Sequence, residues 1–208
     1  MFILLEGIDG AGKGQQRLEV TKTLEARFKN LKSVDFPNHS SPIYEHLIHP
    51  ALHEEIVLNS SSWFLSFVLD QMLMADDLLP TIRSKTDYYV VDGYFTTTLA
   101  YQCIMNKVMP IDTALAFAKD FKIPKPDIAI FIDVDPEIAR RRKQKEEGHE
   151  EGMDIFERSM EKQKKIRAAF LKMAKENIFC EWEVVDGTGS IQEVHDQIIA
   201  ILTKKKLI

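Results

Sequence analysis

An α/β architecture, with a mainly parallel five-stranded sheet covered by helices on both faces, is the fold class the sequence predicts. Three observations predict it. Five short apolar or β-branched runs recur along the 208 residues, helix-like stretches separate them, and Asp, Pro or Gly closes each run. The first run, 2–5 (Phe-Ile-Leu-Leu), stops at Glu6 and Gly7 and leads to a helix over 15–28. The second, 33–36, ends at Pro37. A helix over 61–83 precedes the third run, 88–91, which ends at Asp92. Helices over 96–106 and 112–119 separate it from the fourth, 128–132, which ends at Asp133. Asp135 stands before Pro136, so an Asp caps and a Pro opens the helix over 136–147. A helix over 155–177 leads to the last run, 183–185, closed by Asp186 and Gly187. The final helix, 192–204, meets Lys204, Lys205 and Lys206 at its C-terminal end, where cations are favoured.

No repeat, low-complexity tract or linker divides the chain, so residues 1–208 read as one domain. One patch is unusually polar: residues 143–152 hold four Glu, one His and two Gly. It suits a mobile lid over about 143–155 or a plain solvated loop. With 27 Lys and Arg against 32 Asp and Glu, the formal net charge of -5 argues against general nucleic-acid binding. Cys103 and Cys180 are the only cysteines, so no disulfide framework is indicated and a reducing interior suits the count. No stretch of 18 or more apolar residues is present to span a membrane, and the N-terminal run lacks a basic leader. The expectation is a soluble cytoplasmic protein. His46, His49 and His53 have helical metal-ligand spacing, but Pro50 is expected to interrupt such a helix, leaving them as solvated loop or helix-end residues.

The segment Glu6-Gly7-Ile8-Asp9-Gly10-Ala11-Gly12-Lys13 lies between the first strand and the first helix. Its glycines let backbone N–H groups curl around a polyphosphate, and the helix N-terminus adds partial positive charge. Gly7-x4-Gly12-Lys13 fits the Walker A spacing, with Lys13 able to reach the β and γ phosphates of ATP. Gly14, followed by Gln15, stands where that pattern has a hydroxyl that helps hold Mg²⁺. Carboxylates at strand ends complete the pattern, since open α/β sheets bind ligands at that edge. Asp92 is placed to hold Mg²⁺, directly or through water, or else to cap the following helix.

In this order the motifs resemble the thymidylate kinases, a family of nucleoside-monophosphate kinases with the three-layer P-loop NTPase fold and a short lid. The resemblance rests on residues 2–13, Phe36-Pro37, Ser66-Phe67-Val68-Leu69-Asp70-Gln71, Asp92-Gly93-Tyr94 with Leu99-Ala100-Tyr101-Gln102, Pro126-Asp127 with residues 132–137, and Val185-Asp186-Gly187 with residues 191–195. It implies that Gly7, Asp9, Gly10, Ala11, Gly12, Lys13, Gly14 and Gln15 surround the ATP phosphates. It implies an acceptor site of Phe36, Tyr94 and Tyr101, with Phe67 stacking on a pyrimidine and Gln71 and Gln102 near the base edge. A core Phe67 and a solvated Gln102 are the plainer alternatives from pattern alone. Asp9 resembles the acidic loop residue that meets the sugar 3′-hydroxyl; an Asx-turn within its own loop would also use it. Arg142 matches a lid-entry Arg that contacts ATP or the transferred phosphate. Arg140, Arg141 and Arg142 cannot all face one ligand at 3.6 residues per turn. The resemblance also implies a homodimer formed by helices flanking the sheet.

Departures from the family cluster at phosphate-facing and base-facing positions. His39, Gln71, Gly93 and Ile155 each stand where the family has Arg, and each loss removes a fixed fork of donors suited to phosphate. Two readings follow: a kinase moving the γ-phosphate of ATP to a deoxynucleoside monophosphate, dTMP first, or a catalytically weakened or inactive nucleotide-binding relative acting as partner or regulator. A GTPase switch is disfavoured, because Asn106-Lys107-Val108-Met109 lacks the Asp of a guanine-reading motif.

Overall fold

The computed structural model describes residues 1–74, 87–145 and 159–208. Its sheet has five strands, β1 (Phe2–Glu6), β2 (Asn30–Asp35), β3 (Asp87–Asp92), β4 (Ile128–Asp133) and β5 (Trp182–Asp186), in the order β2-β3-β1-β4-β5. All four pairings are parallel, with Leu4 opposite Val91 on one side of β1 and Ala129 on the other. Every residue of β1 is buried, as both faces of a fully covered parallel sheet require. β2 is the polar exception: its burial alternates, which an edge strand tolerates.

Among the described residues, eight α-helices accompany the strands: α1 (Lys13–Glu25), α2 (His49–Leu52), α3 (Ser60–Met72), α4 (Phe95–Thr98), α5 (Ile111–Asp120), α6 (Pro136–Lys143), α7 (Met160–Glu176) and α8 (Ile191–Lys204). α1 and α8 are joined by a hydrogen bond from Gln16 Nε2 to the Ile191 carbonyl, 2.8 Å, and by a 2.9 Å contact between Thr23 and His195. α7 packs on β4 through the stacked rings of Phe170 and Phe131, 5.3 Å apart. Asp135 caps α6 by accepting from the Glu137 N–H at 2.8 Å, and Asn59 caps α3 by accepting from Ser62 N–H at 2.9 Å. Residues 75–83 of the helix expected over 61–83, residues 155–158 of the one expected over 155–177, Ile155 among them, and most of the lid expected over 143–155 fall outside the described residues.

Two expectations change. The helix expected over 96–106 is a single α-helical turn, α4, followed by a π-helix, Leu99–Met105. The reading of Pro50 as an interruption is corrected: a π-helical turn, Tyr44–Ile48, runs directly into α2, with Pro50 in the first turn. There its missing N–H is least needed, and the wider π turn accommodates the ring. His49 and His53 lie on this element with ring centroids 4.4 Å apart, while His39 stacks on Tyr44 at 4.3 Å. Cys103 and Cys180 are both buried and unpaired. Among the described residues no helix is long and apolar enough to cross a membrane.

Glu6, the last residue of β1, is fully buried. Its carboxylate accepts from the hydroxyls of Thr96 and Thr97, fastening the central strand to α4. Burial raises its pKa from 4.5 to about 7, although both hydroxyls and the charge of Lys13 oppose the rise. The folded state therefore holds this proton more tightly than the unfolded chain. Stability from this group is full below pH 4.5, falls as pH rises toward about 7, and is level above that. The shift corresponds to a loss of about 3 kcal/mol. Glu6→Gln, which keeps the shape without the charge, is expected to remove that slope and to be the more stable protein at pH 8. Urea denaturation of both proteins at pH 5 and pH 8 measures it; parallel pH dependence would contradict the assignment.

Candidate active site

The phosphate loop emerges from the middle of the sheet, between the ends of β3 and β4. Ala11 N–H donates to the Ile8 carbonyl at 3.1 Å, closing the turn, and Lys13 Nζ folds back to the same carbonyl at 3.3 Å. Gly10 has φ +80°, and a Cβ there would stand 2.3 Å from the carbonyl oxygen of Ala139 in α6. Only glycine lets the loop lie this close to the neighbouring helix. Gln15 points away and donates to Glu19 on the exposed side of α1 at 3.0 Å.

Asp92 stands at the end of β3 beside this loop. A Cβ on Gly14 would lie 3.7 Å from Asp92 Oδ2 and meet nothing closer, so the missing hydroxyl would have faced this carboxylate. Burial raises the Asp92 pKa; the charges of Lys13 and Arg17 oppose that rise, while Asp35 and Asp9 add to it. Arg17, one turn beyond Gly14 on α1, donates to Ser33 Oγ at 2.8 Å and pairs with Asp35 at 3.6 Å.

A cavity of about 130 Å³ opens against the loop. It brings Gly7, Asp9 and Lys13 together with Phe36, Phe67, Gln71, Tyr94 and Tyr101, so the loop lysine and the expected acceptor residues share one space. Pro37, Leu52, Gly93, Thr97 and Thr98 complete the wall. Phe67 is half-buried on α3, stacked on Trp63 at 5.7 Å, and packs beside Ile48 and Ala51 in a small cluster apart from the main core. Asp9 accepts from Tyr101 OH at 3.3 Å and from Gln163 Nε2 at 3.0 Å. Two buried wall atoms have no hydrogen-bond partner among the described residues: Gln71 Oε1 and the Tyr94 hydroxyl. Buried polar atoms are nearly always paired, so orphans in a cavity wall mark a ligand-facing surface.

Two expected residues lie elsewhere. Gln102 is buried outside the cavity wall and accepts from Asn106 Nδ2 at 3.2 Å. Arg142 donates through Nη2 to the carbonyls of Thr188 and Gly189, at 3.1 and 3.3 Å, which ties α6 to the loop between β5 and α8. Three contributors carried no sequence signal of their own. Gln163 and Arg167 lie on α7; the Arg167 guanidinium grips Asp133 at 2.6 and 2.9 Å. Asp70 of α3 holds the segment after Pro37, accepting from Asn38 N–H at 2.8 Å and from Ser41 Oγ.

A parallel sheet with a glycine-rich loop leading from its central strand into a helix, and a mixed aromatic and polar cavity against that loop, defines a P-loop nucleotide kinase. The chain belongs to the thymidylate kinase family, whose model matches residues 5–198. It is 29% identical to a probable thymidylate kinase of Pyrococcus horikoshii, over 99% of this chain and 97% of the relative. Among solved structures it is similar in fold to thymidylate kinase from Ehrlichia chaffeensis, with a TM-score of 0.73, 22% identity and coverage of 97% and 98% of the two chains. The Candida albicans thymidylate kinase, described as broad in substrate specificity, also gives 0.73 at 22% identity, over 99% and 92%.

Gly93 replaces a family Arg at a backbone φ of +65°, with the Phe36 carbonyl 3.0 Å from where a Cβ would stand. Gly93→Arg and Gly93→Ala are both expected to lose about 1–3 kcal/mol of stability, the cost of holding a side chain in that conformation. Thermal melts of the two variants test this; an unshifted Gly93→Arg would mean that the turn does not require glycine.

Proposed function

We propose that this chain transfers the γ-phosphoryl group of ATP to a pyrimidine 2′-deoxynucleoside monophosphate, with dTMP, the acceptor of its namesake relatives, giving dTDP. The cavity that joins Lys13 and Gly7 to Phe36, Phe67, Tyr94 and Tyr101 carries this reading. In the transfer, an oxygen of the acceptor phosphate forms a bond to the γ-phosphorus while the bond to the β–γ bridging oxygen breaks, leaving its electron pair on ADP. Such chemistry depends mostly on positioning and charge stabilisation. Lys13 and the loop N–H groups meet the charge on the ATP phosphates. Phe67 supplies an aromatic face for the base, and Asp9, steadied by Tyr101 and Gln163, accepts from the sugar hydroxyl. Arg142 is anchored through one nitrogen and keeps its other donors for ATP.

The residues present fit a Mg²⁺ ion. Asp92 is a hard oxygen donor at the loop, and Mg²⁺ is commonly held by one or two carboxylates, waters and substrate phosphates. When bound, the ion neutralises phosphate charge; without a hydroxyl at Gly14, Asp92 is the protein group that would hold it. The same reading includes a cytoplasmic homodimer. Leu65, Leu69 and Leu73 are exposed and repeat every four residues along α3 and its C-cap, an apolar stripe suited to a second copy.

A coupled ADP-release assay with ATP, Mg²⁺ and dTMP tests the proposal directly, and turnover indistinguishable from buffer would sink it. Lys13→Ala is expected to abolish ATP binding, because it removes the lysine that reaches the phosphates; unchanged affinity by calorimetry would show that the loop is not the ATP site. Phe67→Ala is expected to weaken dTMP binding by about 1–3 kcal/mol, the scale for losing a base–aromatic stack. A loss of folding stability with intact dTMP affinity would make Phe67 a packing residue instead.

A further inference from the structure

The pyrimidine edge meets a different chemistry here from the one a guanidinium would offer. At residue 71 the family Arg could only donate hydrogen bonds, which selects a carbonyl at C4 of the base and rejects an amine. Gln71 is 3% exposed and lines the cavity. Its Nε2 donates to Thr98 Oγ1 at 3.1 Å, and Thr98 lines the same wall. Oε1 is left buried and without a partner among the described residues. In this orientation the atom offered is an acceptor; because the Thr98 hydroxyl both accepts and donates, the amide turned over offers its NH2 to the base instead. An acceptor at this position matches the 4-amino group of cytosine. Thymine presents a carbonyl there.

We infer that the acceptor site takes 4-aminopyrimidine 2′-deoxynucleoside monophosphates, dCMP and its 5-methyl form, alongside dTMP, with Gln71 as the residue that removes discrimination at C4. This rests on the kinase reading above, and the transfer itself is unchanged: the acceptor-phosphate oxygen bonds to the γ-phosphorus, and ADP leaves with the electron pair of the broken bond. The expected consequence is large. A site built to hydrogen-bond one edge rejects the mismatched edge by several orders of magnitude, whereas an amide of either polarity abolishes that penalty.

The test compares dTMP with 5-methyl-dCMP, which keeps the methyl group and differs only along the edge in question. Wild-type kcat/KM for the two is expected to agree within about tenfold. Turnover of dTMP with 5-methyl-dCMP below a tenth of it would overturn this inference and leave the kinase reading standing. Turnover of neither would sink the kinase reading; calorimetric affinities for the two monophosphates would then decide the inference on the same tenfold criterion. Gln71→Arg is expected to shift the ratio at least tenfold toward dTMP. Gln71→Met, apolar and of similar length, is expected to weaken both without favouring either. Thermal melts confirm that each variant is folded. A ratio unchanged in both folded variants would show that Gln71 does not select the base.

Discussion

Both hydrogen-bonding edges of β1 are occupied, by β3 on one side and β4 on the other, and all five of its side chains are sealed. A strand held in this way cannot slide or tilt, so the segment leaving its C-terminal end emerges at a fixed point in the middle of the sheet. The strand order reverses across that point, which is where open α/β sheets form their binding crevice. Every functional group described above is measured from there. Glu6 ties the strand to α4, Gly10 sets the loop against α6, and Asp92 and Asp133 end the two flanking strands.

Charge at this crevice is arranged in layers. Asp92 sits between the cations Lys13 and Arg17 and the further carboxylates Asp35 and Asp9. Arg17 is held by Ser33 and Asp35, so its guanidinium stands near the Asp92 carboxylate without being free to wander. Asp133 is neutralised by Arg167 through two hydrogen bonds, while the charge of Lys13 acts on both Asp92 and the buried Glu6. The cavity thus combines the loop lysine, an acid and aromatic faces, with two orphaned polar atoms, Gln71 Oε1 and the Tyr94 hydroxyl, among its lining residues.

The buried strands were legible because a parallel sheet covered on both faces demands unbroken apolar runs, and β1, β3 and β4 supply them. β2 was legible only from its last residues: as a polar edge strand, its stretch from Asn30 to Lys32 lacks the run that signals burial. The phosphate loop was legible because glycine spacing reports backbone requirements directly. Gln163, Arg167 and Asp70 were not, since a polar residue on a helix looks the same whether it faces water or a partner far along the chain; Gln163 meets Asp9 across 154 residues. The π-helical turns at Tyr44–Ile48 and Leu99–Met105 share the apolar periodicity of α-helices closely enough that pattern alone does not separate them. Arg142 was read by motif position, but sequence does not say that backbone carbonyls of the β5–α8 loop hold one of its nitrogens.

The two cysteines carry a practical consequence. Burial pushes the Cys103 thiol up to about 11 and the Cys180 thiol up to about 12, so neither presents a thiolate at neutral pH. Maleimides and iodoacetamides, which react with exposed thiolates, find nothing to modify in the folded molecule. A single cysteine introduced on the surface would therefore carry a fluorophore or spin label at one defined position, with the native thiols left in place and silent.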